Sequence, residues 1–216
     1  FGAVNLEDIS QPNCYTVLER LQAEGSIPVW HDDAQGTACV VLAGLMNALE
    51  LAGKTLDAVR IVLLGSGAAG SATARLLIRA GVDPGMISLH NSRGSLSERR
   101  QDYRGEGFGW HRELCRITNR QGFDGFEDAV KGADVLIAAS GPGLVKHHHV
   151  KSMADRAIVF ACANPVPEIY PDEALDAGAV VVGTGRSDLP NQVNNCFGFP
   201  GILKGVLLSG AGAISD

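Results

Sequence analysis

The chain has 216 residues, 45% of them apolar and 19% charged, with a formal net charge of −6, which is the make-up of an ordinary globular protein with material for one or two domains. A pI near 5.5 and the lack of a long Lys/Arg run leave nucleic acid outside the expected partners. The longest apolar stretches, such as Val40–Leu51, are broken by Gly44, Asn47 and Glu50 and fall short of a bilayer span, and the amino end does not resemble a signal peptide, so the expectation is a cytoplasmic chain with no membrane partner.

The elements follow in chain order. An amphipathic helix is expected over 11–24, opened by Gln11-Pro12, then a strand at Ile27–Trp30. A long helix runs from about Ala34 to Gly53, with Val41, Leu45, Ala48 and Leu49 at helical spacing. Val59–Leu64 is a nearly unbroken apolar run that stops at Gly65, the mark of a strand covered on both faces in a parallel sheet. A helix over Ala69–Ala80 and a strand over Met86–His90 come next. Residues 91–108 are polar and rich in Gly and Arg and read as a long excursion. Helices near Trp110–Thr118 and Phe126–Lys131 lead to a strand at Val135–Ala139. A strand at Ala157–Ala161, a short helix after Pro171, a strand at Val180–Val182 and a final helix from about Asn191 complete the series.

Strands alternating with helical crossovers predict an α/β fold, a doubly wound parallel sheet of the Rossmann type, over 55–190. Residues 1–54 show no core of their own and read as the helical remnant of a preceding domain. Residues 191–216 read as a C-terminal helix. The five cysteines are scattered, without a C-x-x-C pair, and read as reduced thiols.

Gly65-Ser66-Gly67-Ala68-Ala69-Gly70 directly follows a predicted strand and opens a predicted helix. Gly65 permits a tight turn, Gly67 lets backbone approach a pyrophosphate, and Gly70 lets helix and strand pack closely. The phosphates then meet free N–H groups at the positive end of a helix. The bland alternative is a Gly-rich turn without a ligand. About twenty residues on, where an acid commonly binds the bare ribose 2′-hydroxyl, stand His90-Asn91-Ser92-Arg93. An Arg beside small polar groups suits a 2′-phosphate, so NADP is favoured over NAD; otherwise Arg93 is a solvated loop residue.

Two acidic pairs, Glu7-Asp8 and Asp32-Asp33, can be returned to one end of the fold by the helix and strand between them. Carboxylates gathered without Lys or Arg repel unless a cation lies among them, and all-oxygen ligation suits Mg²⁺ or Mn²⁺. Helix capping is the competing explanation. His147-His148-His149 reads as a solvated helix start rather than a metal site.

Asn5-Leu-Glu-Asp-Ile9, His31-Asp-Asp-Ala-Gln-Gly-Thr37, the glycine turn, Asn164-Pro-Val-Pro-Glu168, Gly185-Arg-Ser-Asp188 and Asn191-Gln-Val-Asn-Asn195 occur in this order. Together they resemble malic enzymes of the bacterial and archaeal type from end to end. The resemblance implies metal-dependent oxidation of malate with hydride transfer to NAD(P), followed by decarboxylation to pyruvate. It implies Glu7, Asp8 and Asp33 as metal ligands and Asp32 as the residue orienting a catalytic lysine. Asn164 and Asn195 become substrate contacts, Asn164 also lying near the nicotinamide, and Ser140-Gly141-Pro142-Gly143 the loop near the cofactor ribose. In the family the general acid Tyr and general base Lys precede the first of these motifs, which here begins at residue 5. The expectation is therefore a fragment, inactive alone, of an enzyme that forms homodimers. Two alternatives stay open: an NAD(P)-dependent dehydrogenase of another small substrate, and a non-catalytic nucleotide-sensing domain.

Overall fold

The computed structural model describes residues 1–215. Its apolar runs become strands β3 (Ile61–Leu64), β6 (Val135–Ala138) and β7 (Ala157–Ala161), every residue of which is buried. With β4 (Ile87–Asn91), β8 (Ala179–Thr184) and the short β5 (Gly94–Ser95) they form one sheet in the order β5-β4-β3-β6-β7-β8. All pairs are parallel except β4 with β5. The doubly wound α/β expectation holds. From β3 the chain winds one way to β4 and the other way to β6, so the crevice of such sheets opens at the carboxyl end of β3. Leu64 pairs with both His90 and Ala138, which puts the loops leaving β3, β4 and β6 at one level.

Helices cover both faces, which is why these strands carry no alternating pattern. On one face α2 (Thr37–Ala52), α3 (Ala68–Arg79) and α4 (Gly109–Ile117) bury Val41, Leu45, Leu77 and Leu114 against Ile61, Leu63 and Ile137. On the other, α5 (Phe126–Ala129), α6 (His147–Lys151) and α7 (Pro171–Asp176) bury Ala129, Val150 and Ala174 against Val62, Leu136 and Val159. Asp32–Ala52 is the one helical stretch among the described residues long and apolar enough to cross a membrane; its Val41, Leu45 and Leu49 lie in the protein core instead.

The amino-terminal region contains a strand that the sequence pattern does not reveal. β1 (Val4–Leu6) pairs in parallel with β2 (Val29–His31), and α1 (Asn13–Glu24) makes the crossover. Three residues are too few for a period-two signal. Cys14, Tyr15 and Leu18 of α1 pack with Val29, Ala38, Ala72 and Trp110 in a third small core.

Two other elements differ from expectation. The long helix opens with a π turn over Asp32–Gly36 rather than at Ala34. The last helix, α8 (Phe199–Ser209), starts later than Asn191. Residues 191–193 run alongside the end of β8, with Thr184 N–H donating to the Asn191 carbonyl at 3.1 Å and Val193 N–H to the Thr184 carbonyl at 2.6 Å. Asn191 has φ of 56°, a left-handed backbone that Asn tolerates and a helix excludes.

A candidate dinucleotide site beside an acidic edge

The tight strand-to-helix passage after β3 depends on glycine at two positions. Gly65 has φ of +120°, and a Cβ there would meet the Ala139 carbonyl oxygen at 2.1 Å; one on Gly70 would meet the Gly65 carbonyl oxygen at 2.0 Å. A Cβ on Gly67 would meet nothing within 4 Å, so the second glycine faces open space where a pyrophosphate would approach α3. Gly65, Ser66, Gly67, Asn91, Ser92, Arg93 and Ser140 line one cavity of about 800 Å³, ample for an extended cofactor. Of the other residues assigned to the cofactor, Gly70 makes the helix–strand contact, Ala68 and Ala69 form the first turn of α3, and Gly141 is not among the lining residues.

The polar residues of the turn serve one another more than the sequence suggests. Asn91 Nδ2 donates to Ser66 Oγ and to Tyr103 Oη, both at 2.8 Å, while Asn91 Oδ1 accepts from Arg93 N–H at 2.9 Å. Asn91 is thus a brace for the turn. His111 Nε2 lies 2.6 Å from the Ser66 carbonyl; a carbonyl only accepts, so this nitrogen carries the proton. Tyr103 and His111 are buried and stacked on each other, ring centroids 4.4 Å apart.

The fold also supplies an acid that the sequence did not place here. Asp102 lines the cavity, held by Arg100 at 2.6 and 2.8 Å and by Arg93 at 3.3 Å. The Arg100 hydrogen bonds, above all, hold its carboxyl at about 2. Arg93 is therefore paired rather than merely solvated, and the three side chains together leave one net positive charge.

At the acidic edge, Asp32 is buried while Glu7 and Asp8 are exposed. Asp32 Oδ2 accepts from Asn195 Nδ2 at 2.7 Å and Oδ1 from Trp30 Nε1 at 3.2 Å. Burial raises the Asp32 carboxyl, the Trp30 hydrogen bond opposes that, and Asp33 adds to the rise. Asp8 N–H donates to Asp33 Oδ2 at 2.8 Å, tying the first acidic segment to the second. Glu7 is raised by desolvation first, then by the fields of Asp32 and Asp33. These carboxylates feel one another, and among the described residues their hydrogen-bond donors are amides and an indole, not Lys or Arg. That donor set suits a hard divalent cation, although Glu7, Asp8 and Asp33 do not bring their oxygens within 4.8 Å of one another. Among the described residues only Glu127, His148 and His149 form so tight a trio. Gly36, unremarked in the sequence, matters here: a Cβ would meet Asp32 Oδ1 at 2.1 Å and Asn195 Cβ at 3.3 Å. The π turn of 32–36, a distortion frequent at functional sites, packs against α3.

Glu127, His148 and His149 do not favour a metal. His149 is 4% exposed, not a solvated helix start. Its Nδ1 accepts from Lys146 N–H at 3.0 Å, so its Nε2 holds the proton and donates to Glu127 Oε1 at 2.7 Å. An ion at Nε2 would need a lone pair on both nitrogens of a neutral ring.

Asn164 is exposed and shares a smaller cavity with Arg186, Gln192 and Asn194; it does not line the dinucleotide cavity. Arg186 is clasped by Asp188, and its Nη1 donates to the Pro165 carbonyl at 3.0 Å. It holds the loop. Burial pushes the Cys162 thiol up to about 12, which removes it as a nucleophile.

Residues 34–216 match the family described as malic enzyme, NAD binding domain. A bifunctional malic/malolactic enzyme of Bacillus subtilis is 48% identical over 208 residues, 96% of this chain and 50% of that protein. An NADP-dependent malic enzyme of Halomonas elongata is 43% identical over 209 residues, 96% of this chain and 48% of that protein. The crystal structure of Entamoeba histolytica malic enzyme superposes with a TM-score of 0.97 at 53% identity, covering 100% of this chain and 45% of that one. The chain thus spans about half the length of the relatives it matches. It belongs to the malic enzyme family, of which it carries the NAD-binding portion.

Proposed function

We propose that the protein carrying this chain oxidises malate to pyruvate and CO₂ with hydride transfer to NADP, NAD being accepted too, and that the reaction needs Mg²⁺ or Mn²⁺. The observation that carries this reading is the Asn195–Asp32 hydrogen bond, made across 163 residues of chain. It brings the last motif onto the acidic edge, against the helix that opens at the glycine turn.

Each group has work suited to its chemistry. Glu7, Asp8 and Asp33 would hold the divalent ion, which when bound supplies Lewis-acid polarisation of the substrate's oxygens. Asn195 and Asn164 orient a dicarboxylate without cancelling that charge, because their amides are neutral. Asp32 anchors Asn195 and, by family resemblance, orients the lysine base. By the same resemblance, the whole protein pairs that lysine with a tyrosine acid. Residues 55–190 would hold the dinucleotide, which when bound would supply the hydride acceptor for the oxidation. Residues 1–54 belong with the substrate and metal domain, and 191–216 close the site. The single positive charge left by Arg93, Arg100 and Asp102 supports NADP, since it is available to a 2′-phosphate. The whole protein is read as a cytoplasmic homodimer.

The test uses the whole protein with Mn²⁺. Malate-dependent NADPH formation is expected, with pyruvate and CO₂ released in equal amounts, and Asp33→Ala should abolish it. Turnover of a different small substrate without metal would replace this reading by a plain dehydrogenase, and cofactor binding without any turnover by a sensor.

A further inference from the structure

Glu168 is fully buried at 0% exposure; burial raises its carboxyl, and the hydrogen bonds it accepts oppose that rise. Oε1 accepts from Ser140 N–H at 2.7 Å and from Ser140 Oγ at 3.1 Å; Oε2 accepts from Ala163 N–H at 2.9 Å. Ser140 leaves β6 and Ala163 leaves β7, so one carboxylate spans the two loops. The backbone extends the seam: Gly143 N–H donates to the Pro167 carbonyl and Val145 N–H to the Glu168 carbonyl, both at 3.1 Å. Between the peptide group fixed by Glu168 and the Pro165 carbonyl fixed by Arg186 stands Asn164.

Resting on the function proposed above, we propose that Glu168 is a positioning residue for hydride transfer, locking the loops that follow β6 and β7 into one unit that sets Asn164 and the nicotinamide half of the dinucleotide. Only a carboxylate meets the requirement. Its two oxygens are both acceptors, and each faces a backbone N–H; a glutamine would turn its NH₂ against one of them and leave that donor unpaired in a dry site. The adenine half is assigned to the part of the cavity lined by Asn91, Arg93 and Asp102, none of which is a hydrogen-bond partner of Glu168.

The separation of the two halves gives the test. In the whole protein, Glu168→Gln should weaken NADPH binding about tenfold and leave the affinity for 2′-phospho-ADP-ribose, which lacks the nicotinamide, within about twofold. With malate and Mn²⁺, kcat should fall about 30-fold and the isotope effect of malate deuterated at C2 should rise, because a displaced nicotinamide slows the hydride step itself. Glu168→Asp keeps two acceptor oxygens on a stem one methylene shorter and should give the same pattern about threefold in size, which keeps the test open if Glu168→Gln does not fold. NADPH affinity and isotope effect unchanged in both variants, or equal losses for NADPH and the fragment, would overturn the assignment. If the unmutated protein does not oxidise malate, the function proposal fails, while the two binding measurements still decide the role of Glu168.

Discussion

At the glycine turn, the groups offered to a ligand are backbone N–H donors whose places are fixed by packing. Gly65 and Gly70 have no room for a Cβ, and Ser66 is gripped by Asn91, Tyr103 and His111. At the acidic edge, the groups are side-chain carboxylates of like charge, two of them exposed, joined to one another by a backbone N–H and to Asn195 by a single amide. The first region is organised in advance of any ligand; the second is electrostatically opposed to itself. Mutations should therefore separate stability from binding at the turn, whereas at the exposed part of the edge metal affinity should respond first.

The largest effect is expected where the turn is tightest. Gly70→Val should cost more than about 4 kcal/mol, because its side chain would drive into the Gly65 carbonyl. Gly67→Ala should leave stability within about 0.5 kcal/mol and weaken NADPH binding about tenfold, since its methyl enters only the open space above α3. Urea unfolding beside NADPH titration checks both. Equal stability losses would refute the division of labour among the glycines.

The two regions should also answer pH in opposite directions. His90, whose carbonyl accepts from Gly65 N–H, is held by burial at about 4, below the ordinary value near 6.5. Between those values the unfolded chain binds the extra proton. Stability is therefore complete above about pH 6.5 and is lost as pH falls toward 4, by up to about 3 kcal/mol. Glu7 and Asp32 are raised, so their contribution declines as pH rises above the ordinary carboxylate range. Unfolding of the wild type and His90→Gln across pH 4–7.5 measures the first of these: the variant should show a flatter acid limb. Parallel acid limbs would remove His90 from the account.

At the edge, Asp33→Ala should weaken Mn²⁺ binding about 30-fold, near 2 kcal/mol, and leave NADPH affinity within twofold. Calorimetry with each ligand separates the two. Undiminished Mn²⁺ affinity would return the acidic pairs to helix capping.

The same contrast explains what the sequence could reveal. A glycine requirement is local, so Gly65, Gly67 and Gly70 stand out after an apolar strand, and the sheet itself follows from runs such as Ile61–Leu64 and Ala157–Ala161. The brace on the turn is not local: Tyr103 comes from the excursion over 91–108 and His111 from the helix that follows it, and only the fold brings both to Ser66. Asp102 is invisible for the same reason, lying beyond the position where a ribose-binding acid is sought. Resemblance gave Asp32 and Asn195 separate roles; their meeting was not legible, since no spacing rule links residues so distant. Gly36 carried a signal that could have been used: a glycine wedged between an acidic pair and a helix start has no turn to make, which points to close packing on a side chain.

The smallest expected effect concerns cofactor choice and tests how far the turn's organisation extends. Arg93 is 72% exposed at its side chain and touches Asp102 at 3.3 Å, whereas Arg100 is 11% exposed and carries the shorter contacts. Removing Arg93 should leave the Arg100–Asp102 pair intact and electrically neutral, so a 2′-phosphate loses its one uncompensated positive partner while a bare hydroxyl loses little. A solvated charge contact of this kind is worth about 1 kcal/mol, so Arg93→Ala should lower the preference for NADPH over NADH about fivefold, more at low salt than at high. A ratio of the two dissociation constants that does not move, or NADH bound at least as tightly as NADPH before mutation, would mean that Asp102 governs the ribose and that the pocket is built for NAD.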